Sequence, residues 1–139
     1  MGSSTAMSTY VFDANAIRVL DYDYISARAM RDRMITVDDV KFEVEGLVKV
    51  DLFGCFKLSP SGFAIMAEIL EKYESVRRLL NYVEYEGAAD VAILAYVLTA
   101  NDGQLIPDEH IVVTEDKNLQ SACDELKISW LNVDKFKQI

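Results

Sequence analysis

Short runs of β-branched and aromatic residues alternate along the chain with longer stretches of helical periodicity. Thr9 to Asp13 (TYVFD) reads as a first strand, entered from polar residues. A helix is predicted over roughly Tyr22 to Arg33, and a second strand over Met34 to Val37. Asp38-Asp39 opens a helix through about Val50, with Val40, Val44 and Leu47 on one face. Leu52 to Leu58 is ambiguous and its end reads as a strand. Ser59-Pro60 is a strong helix start, Ser as cap and Pro at the first position, and this pattern runs to about Tyr85 with a break near Glu74-Ser75. Gly87 begins a very apolar helix to about Ala100, which Asn101-Asp102-Gly103 stops. His110 to Thr114 (HIVVT) is the clearest buried strand; a helix over Asp116 to Leu126 and a last strand over Ile128 to Val133 follow. This rhythm predicts an α/β fold in which a central parallel sheet is covered by helices on both faces. In such sheets ligands bind beyond the carboxyl ends of the strands, so acidic residues at those ends carry the functional question.

Size and composition narrow the possibilities. With 139 residues, 51% of them apolar, the chain fits one domain over residues 9–139. Residues 1–8 read as a disordered N-terminus or a tag remnant. The longest apolar run, Val91 to Leu98, is far short of the about 20 residues that span a bilayer, so no membrane partner is expected. No signal-peptide pattern is visible, and Cys55 and Cys123 sit far apart in apolar contexts, which suits reduced thiols and a cytoplasmic protein. One histidine, His110, and two scattered cysteines leave a metal only hard oxygen ligands, and hence Mg²⁺, Mn²⁺ or Ca²⁺. The formal charge of −9 argues against a broad nucleic-acid-binding face. It leaves open an enzyme whose carboxylates hold cations that meet a phosphate.

Four acidic positions stand where such a site is expected. Asp13 ends the first strand, and Asn15 two residues on is either a second oxygen donor or simply part of the turn. Glu43 and Glu45 compete for the next position, about 200° apart on a helix. Glu43 flanks the apolar face, whereas Glu45 neighbours Lys41 and Lys49 as on a solvated face. Asp90 is the one charged residue from Ala88 to Leu98 and shares a ridge with Ile93, Leu94 and Val97. Asp116 follows the HIVVT strand, with the Thr114 hydroxyl placed to orient a carboxylate or a water. Each has an ordinary structural explanation as a turn, cap or surface acid. Together they suit a site where carboxylates, costly to crowd, bind a divalent cation for phosphodiester hydrolysis.

The segments YVFDANAI, VDDVKFEV, GAADVAILAYVL and IVVTEDKNL, in this order, resemble the PIN-domain ribonuclease family over nearly the whole chain, from Tyr10 to about Val133. The resemblance selects Glu43 beside Asp13, Asp90 and Asp116 as catalytic and metal-binding acids, and Glu115 fits the acid that often precedes the last one. It implies a three-layer α/β/α sandwich whose first and fourth strands are adjacent. It also implies Mg²⁺- or Mn²⁺-dependent endoribonuclease activity leaving 5′-phosphate and 3′-hydroxyl ends, an RNA substrate, often an antitoxin protein as partner in a type II toxin–antitoxin pair, and often a homodimer. Asn15 and Thr114 would orient the metal ligands. Arg18, Arg28, Arg31, Arg33 and Lys117 are the candidate RNA contacts. Two rival readings are a non-catalytic PIN-like module acting through protein or RNA binding, and a phosphoacceptor domain of the receiver type. The latter needs paired acids at the first strand end, an Asp at the third and a Lys at the last; here Asp13 stands alone and Lys135 lies beyond the last strand.

Overall fold

The computed structural model describes residues 8–27, 33–44, 46–80, 87–100 and 109–139. Its centre is a five-stranded sheet, all parallel, of β1 (Thr9–Phe12), β2 (Met34–Val37), β3 (Gly54–Phe56), β4 (His110–Val113) and β5 (Trp130–Leu131). The spatial order is β3-β2-β1-β4-β5. The chain therefore winds outward from β1 to β3, then returns past its start to place β4 on the other side. The winding direction reverses between β1 and β4, which is where open α/β sheets bind ligands. The register sets Phe12 opposite Val113, so the residues that leave these strands, Asp13 and Thr114, emerge together.

Helices pack on this sheet to give the expected three-layer α/β/α sandwich. Helix α6 (Ala88–Ala100) lies against β2 and β4 and is backed by α4 (Pro60–Lys72). Its residues Ala89, Val91, Ala92, Ile93, Leu94, Ala95 and Val97 are all buried, which accounts for a sequence apolar around nearly its whole circumference. Tyr10 and Phe12 share one face of β1. They meet Phe136 edge-to-face at 5.2 and 5.0 Å, and Phe12 meets Phe53 at 5.0 Å. Such pairs add about 0.5–1.5 kcal/mol each beyond the burial of their area. The buried Thr36 hydroxyl donates to the Phe12 carbonyl at 2.7 Å, tying β2 to the last residue of β1.

Several elements differ from the sequence expectation, each for a local reason. The helix expected from Tyr22 starts there as α2 (Tyr22–Ser26) and is capped at Ala27, with residues 28–32 outside the described part; a further helix, α1 (Ala14–Val19), precedes it. Helix α3 (Asp38–Glu43) stops well short of Val50, because Gly46 turns the chain with φ 96° and a 3-10 turn, Val48–Leu52, follows. The break after α4 falls at Tyr73, whose extended backbone separates it from α5 (Glu74–Arg77). The expected helix end near Tyr85 and the Asn101-Asp102-Gly103 stop lie outside the described residues. Helix α7 (Lys117–Leu126) follows β4 as expected. The last strand is cut to two residues because Asn132 caps a helix, α8 (Val133–Lys137), accepting from the Lys135 N–H at 2.8 Å.

Gly87 sets the start of α6. It has φ 94°, and a Cβ there would lie 1.7 Å from the Leu79 carbonyl oxygen. Only glycine permits this approach of the α6 entry to the end of the preceding helical segment. Among the described residues no helix is long and apolar enough to cross a membrane.

Candidate metal centre

Asp13 follows β1 and is the N-cap of α1. Its Oδ1 accepts from the Ala16 N–H at 2.8 Å, and its Oδ2 accepts from the Thr114 hydroxyl. The side chain is only 3% exposed. Thr114 leaves β4 fully buried and links the two strand ends: its hydroxyl donates to Asp13 and accepts from the Asp116 N–H at 3.0 Å. Gln120, from the first turns of α7, donates its side-chain amide to the Thr114 carbonyl at 3.0 Å. The one sequence signal for Gln120 is its place one turn beyond the Asp116 cap. Asp116 caps α7, and both cap bonds, from the Asn118 and Leu119 N–H groups at 2.8 and 3.3 Å, fall on Oδ1. Its Oδ2 accepts no hydrogen bond among the described residues.

Asp90 stands in the first turn of α6, half-buried, and accepts no hydrogen bond among the described residues. Burial pushes its carboxyl from the ordinary 3.8 up to about 8, and the charges of Asp13, Asp116 and Glu43 push in the same direction. Asp13 is raised to about 6: burial raises it, the Thr114 and Ala16 hydrogen bonds lower it, and Asp116 and Glu115 raise it again. Asp90 thus stands in the fields of Asp13, Asp116 and Glu43, acids from three other parts of the chain. Glu43, the last residue of α3, is exposed. The buried Cys123 thiol on α7, held up at about 12 chiefly by burial, also feels Asp90 and Asp13.

Other expected contributors lie elsewhere. Asn15 is exposed and its Oδ1 accepts from Arg18 at 3.1 Å, so its amide faces Arg18 rather than Asp13. Glu115 accepts from the Val133 N–H at 2.7 Å and so caps α8. Arg33 donates to the Ser8 carbonyl at 2.8 Å, at the opposite end of β1 from the acids. Lys117 and Arg18 are exposed beside them, and Arg28 and Arg31 lie outside the described residues. The third strand ends on Phe56 rather than an Asp, which removes the receiver-type arrangement.

The oxygen-only donor set suits Mg²⁺ or Mn²⁺, and the burial that chiefly raises Asp13 and Asp90, with the neighbouring acids adding to it, is a cost that a bound cation would relieve. Among the described residues no three acidic, His or Cys side chains already stand as a closed cage, so holding an ion requires the carboxylates to draw inward. A separate groove of about 560 Å³ opens beside α3, lined among others by Asp38, Lys41, Phe42, Asp51 and Lys57; it shares none of the four acids. No protein-family model matches the chain, and no curated protein matches it significantly.

Proposed function

We propose that this chain is a Mg²⁺- or Mn²⁺-dependent endoribonuclease of the PIN-domain type, with Asp13, Glu43, Asp90 and Asp116 as its metal-binding acids. The observation that carries this reading is Asp90: an acid without a hydrogen-bond partner among the described residues, raised first by burial and then by the charges of the other three acids, near the point where the sheet reverses direction. A bound dication supplies an activated water and neutralises charge on the phosphodiester. The protein's own part is positional. Thr114 fixes the Asp13 carboxylate and, through the Asp116 N–H, the start of α7. Asp116 keeps Oδ2 turned away from its cap bonds, and Asp90 presents a carboxylate from the buried α6. Cleavage would leave 5′-phosphate and 3′-hydroxyl ends. The free thiols of Cys55 and Cys123 agree with a reducing compartment, the cytoplasm. Action as the toxin of a toxin–antitoxin pair, and as a homodimer, belongs to the same proposal.

A non-catalytic module of this fold is the rival, favoured by the open spacing of the acids. Mn²⁺ titration by calorimetry, with RNA cleavage assayed beside it, decides between them. The parent binds Mn²⁺ and cleaves, and Asp13→Asn loses both while keeping its far-UV spectrum. A parent that binds no Mn²⁺ at millimolar concentration defeats the enzyme reading.

A further inference from the structure

Helix α1 is six residues long, about 9 Å of rise, and it is held at both ends by side chains. Asp13 caps its N-terminus. At its C-terminus the Lys49 ammonium donates to the carbonyls of Arg18 and Leu20 at 2.6 and 2.8 Å, satisfying acceptors that a helix end leaves open. Arg18, in the last turn, uses its guanidinium as a fork: Nη1 donates to Asn15 Oδ1 at 3.1 Å, and Nη2 donates to the backbone carbonyl of Glu43 at 3.2 Å. Glu43 is the last residue of α3, after which Val44 and Gly46 turn the chain away. The direction in which Glu43 leaves that helix thus depends on what holds its final carbonyl. A cation at the negative end of the helix dipole holds it favourably.

We infer that Arg18 is a positioning residue for Glu43, with Asn15 orienting its guanidinium, so that α1 works as a strut joining the Asp13 and Glu43 sides of the acid site. The inference rests on the reading of the four acids as one metal site. It assigns Asn15 a role once removed from the metal: it steadies Arg18, and Arg18 steadies Glu43. Lys49 completes the strut by fixing the backbone from which Arg18 reaches out.

The test is Mn²⁺ calorimetry on the full chain, with thermal unfolding measured in parallel. Asp90→Asn is the control for the underlying site and loses binding. Arg18→Ala weakens Mn²⁺ binding about tenfold, the lower end of the effect of losing an outer-shell partner. The sign is diagnostic, because deleting a nearby positive charge that acted only through its field would tighten cation binding. Glu43→Gln also weakens binding, and adding Arg18→Ala to it costs no more than about twofold further, since the two act as one unit. Unchanged or tighter binding in Arg18→Ala overturns the inference while leaving the site intact. So does a double variant that loses the full product of the two single effects. Retained binding in Asp90→Asn overturns the site reading itself, and the positioning role with it. If Arg18→Ala proves too unstable to titrate, Arg18→Lys carries the same decision: a lysine lacks the planar two-pronged fork that reaches Asn15 and the Glu43 carbonyl from separate nitrogens, so weaker binding supports the role and parental binding ends it.

Discussion

The end of the sheet between β1 and β4 and the groove beside α3 both gather charged side chains, and they do so in opposite ways. In the groove, Lys41 and Lys57 stand with Asp38 and Asp51, so its charges offset one another. Cys55, beside it, is raised first by burial, then feels Lys41 pulling its thiol down while Asp38 and Asp51 push it up. At the sheet end every charge acting on Asp13 and Asp90 is another acid. The groove offers volume without electrostatic cost. The sheet end carries a large cost, and unrelieved cost is the better mark of a place built for a ligand.

The two regions differ most at Asp90. Asp90→Asn is expected to abolish measurable Mn²⁺ binding and to cut RNA cleavage by roughly two orders of magnitude or more, the scale of losing one electrostatic element of an active site. Asp51→Asn in the groove should change neither. If the two substitutions behave alike, the contrast drawn between the regions is void.

Acidity gives the next effect. Asp13 and Asp90 in the fold bind protons up to about 6 and about 8, whereas in the unfolded chain they release them near the ordinary 3.8. The folded state therefore holds protons that the unfolded state has lost, and the contribution of these groups to stability falls as pH rises from about 4 to about 8. Unfolding scans in the presence of chelator should show the melting temperature dropping across that window. Asp90→Asn should flatten the drop and raise Tm at pH 8 by about 3–5 °C, the equivalent of about 1 kcal/mol at this chain length. Millimolar Mn²⁺ should do the same to the parent. A profile with equal slope in both proteins argues that Asp90 bears no special burden.

Thr114→Val sharpens the picture on a smaller scale. Removing a buried hydroxyl that both donates and accepts should destabilise by about 1–3 kcal/mol. Because that hydroxyl lowers the Asp13 carboxyl, its loss should raise Asp13 further and shift the pH dependence of Mn²⁺ binding to higher pH. Smallest of all, Phe42→Ser on the groove wall, where Phe42 is 76% exposed, should move stability by less than about 0.5 kcal/mol and leave Mn²⁺ affinity unchanged.

How much of this the sequence discloses varies from residue to residue. The strands were legible because a buried parallel strand is a short apolar run, and HIVV and MITV are such runs. The contribution of Thr114 was legible too, since a hydroxyl at the end of a buried strand needs a partner. Helix α1 was not, although Asp13 followed by Ile17 and Leu20 at helical spacing is a cap and an apolar face. Six residues give too little periodicity to stand out from a turn. The final helix hid for the same reason, with Asn132 reading as part of a strand. The contacts of Arg18 and Lys49 leave no trace in the sequence at all. Apart from the bond of Arg18 to Asn15 three residues back, each joins a side chain to a backbone carbonyl 25 to 31 residues away, and a carbonyl is common to every residue type.

Gly87 carries no chemistry, yet it governs a residue that does. Its backbone lies where any side chain would strike the Leu79 carbonyl, so α6 enters the molecule at a fixed height and with a fixed rotation. Asp90 is three residues further on, less than one turn. A methyl group at position 87 would therefore act as a shim, turning an acid it never touches away from its three companions. Swapping this stretch into another scaffold transplants the acid's aim only if the bare backbone before it, and the carbonyl it rests on, travel along.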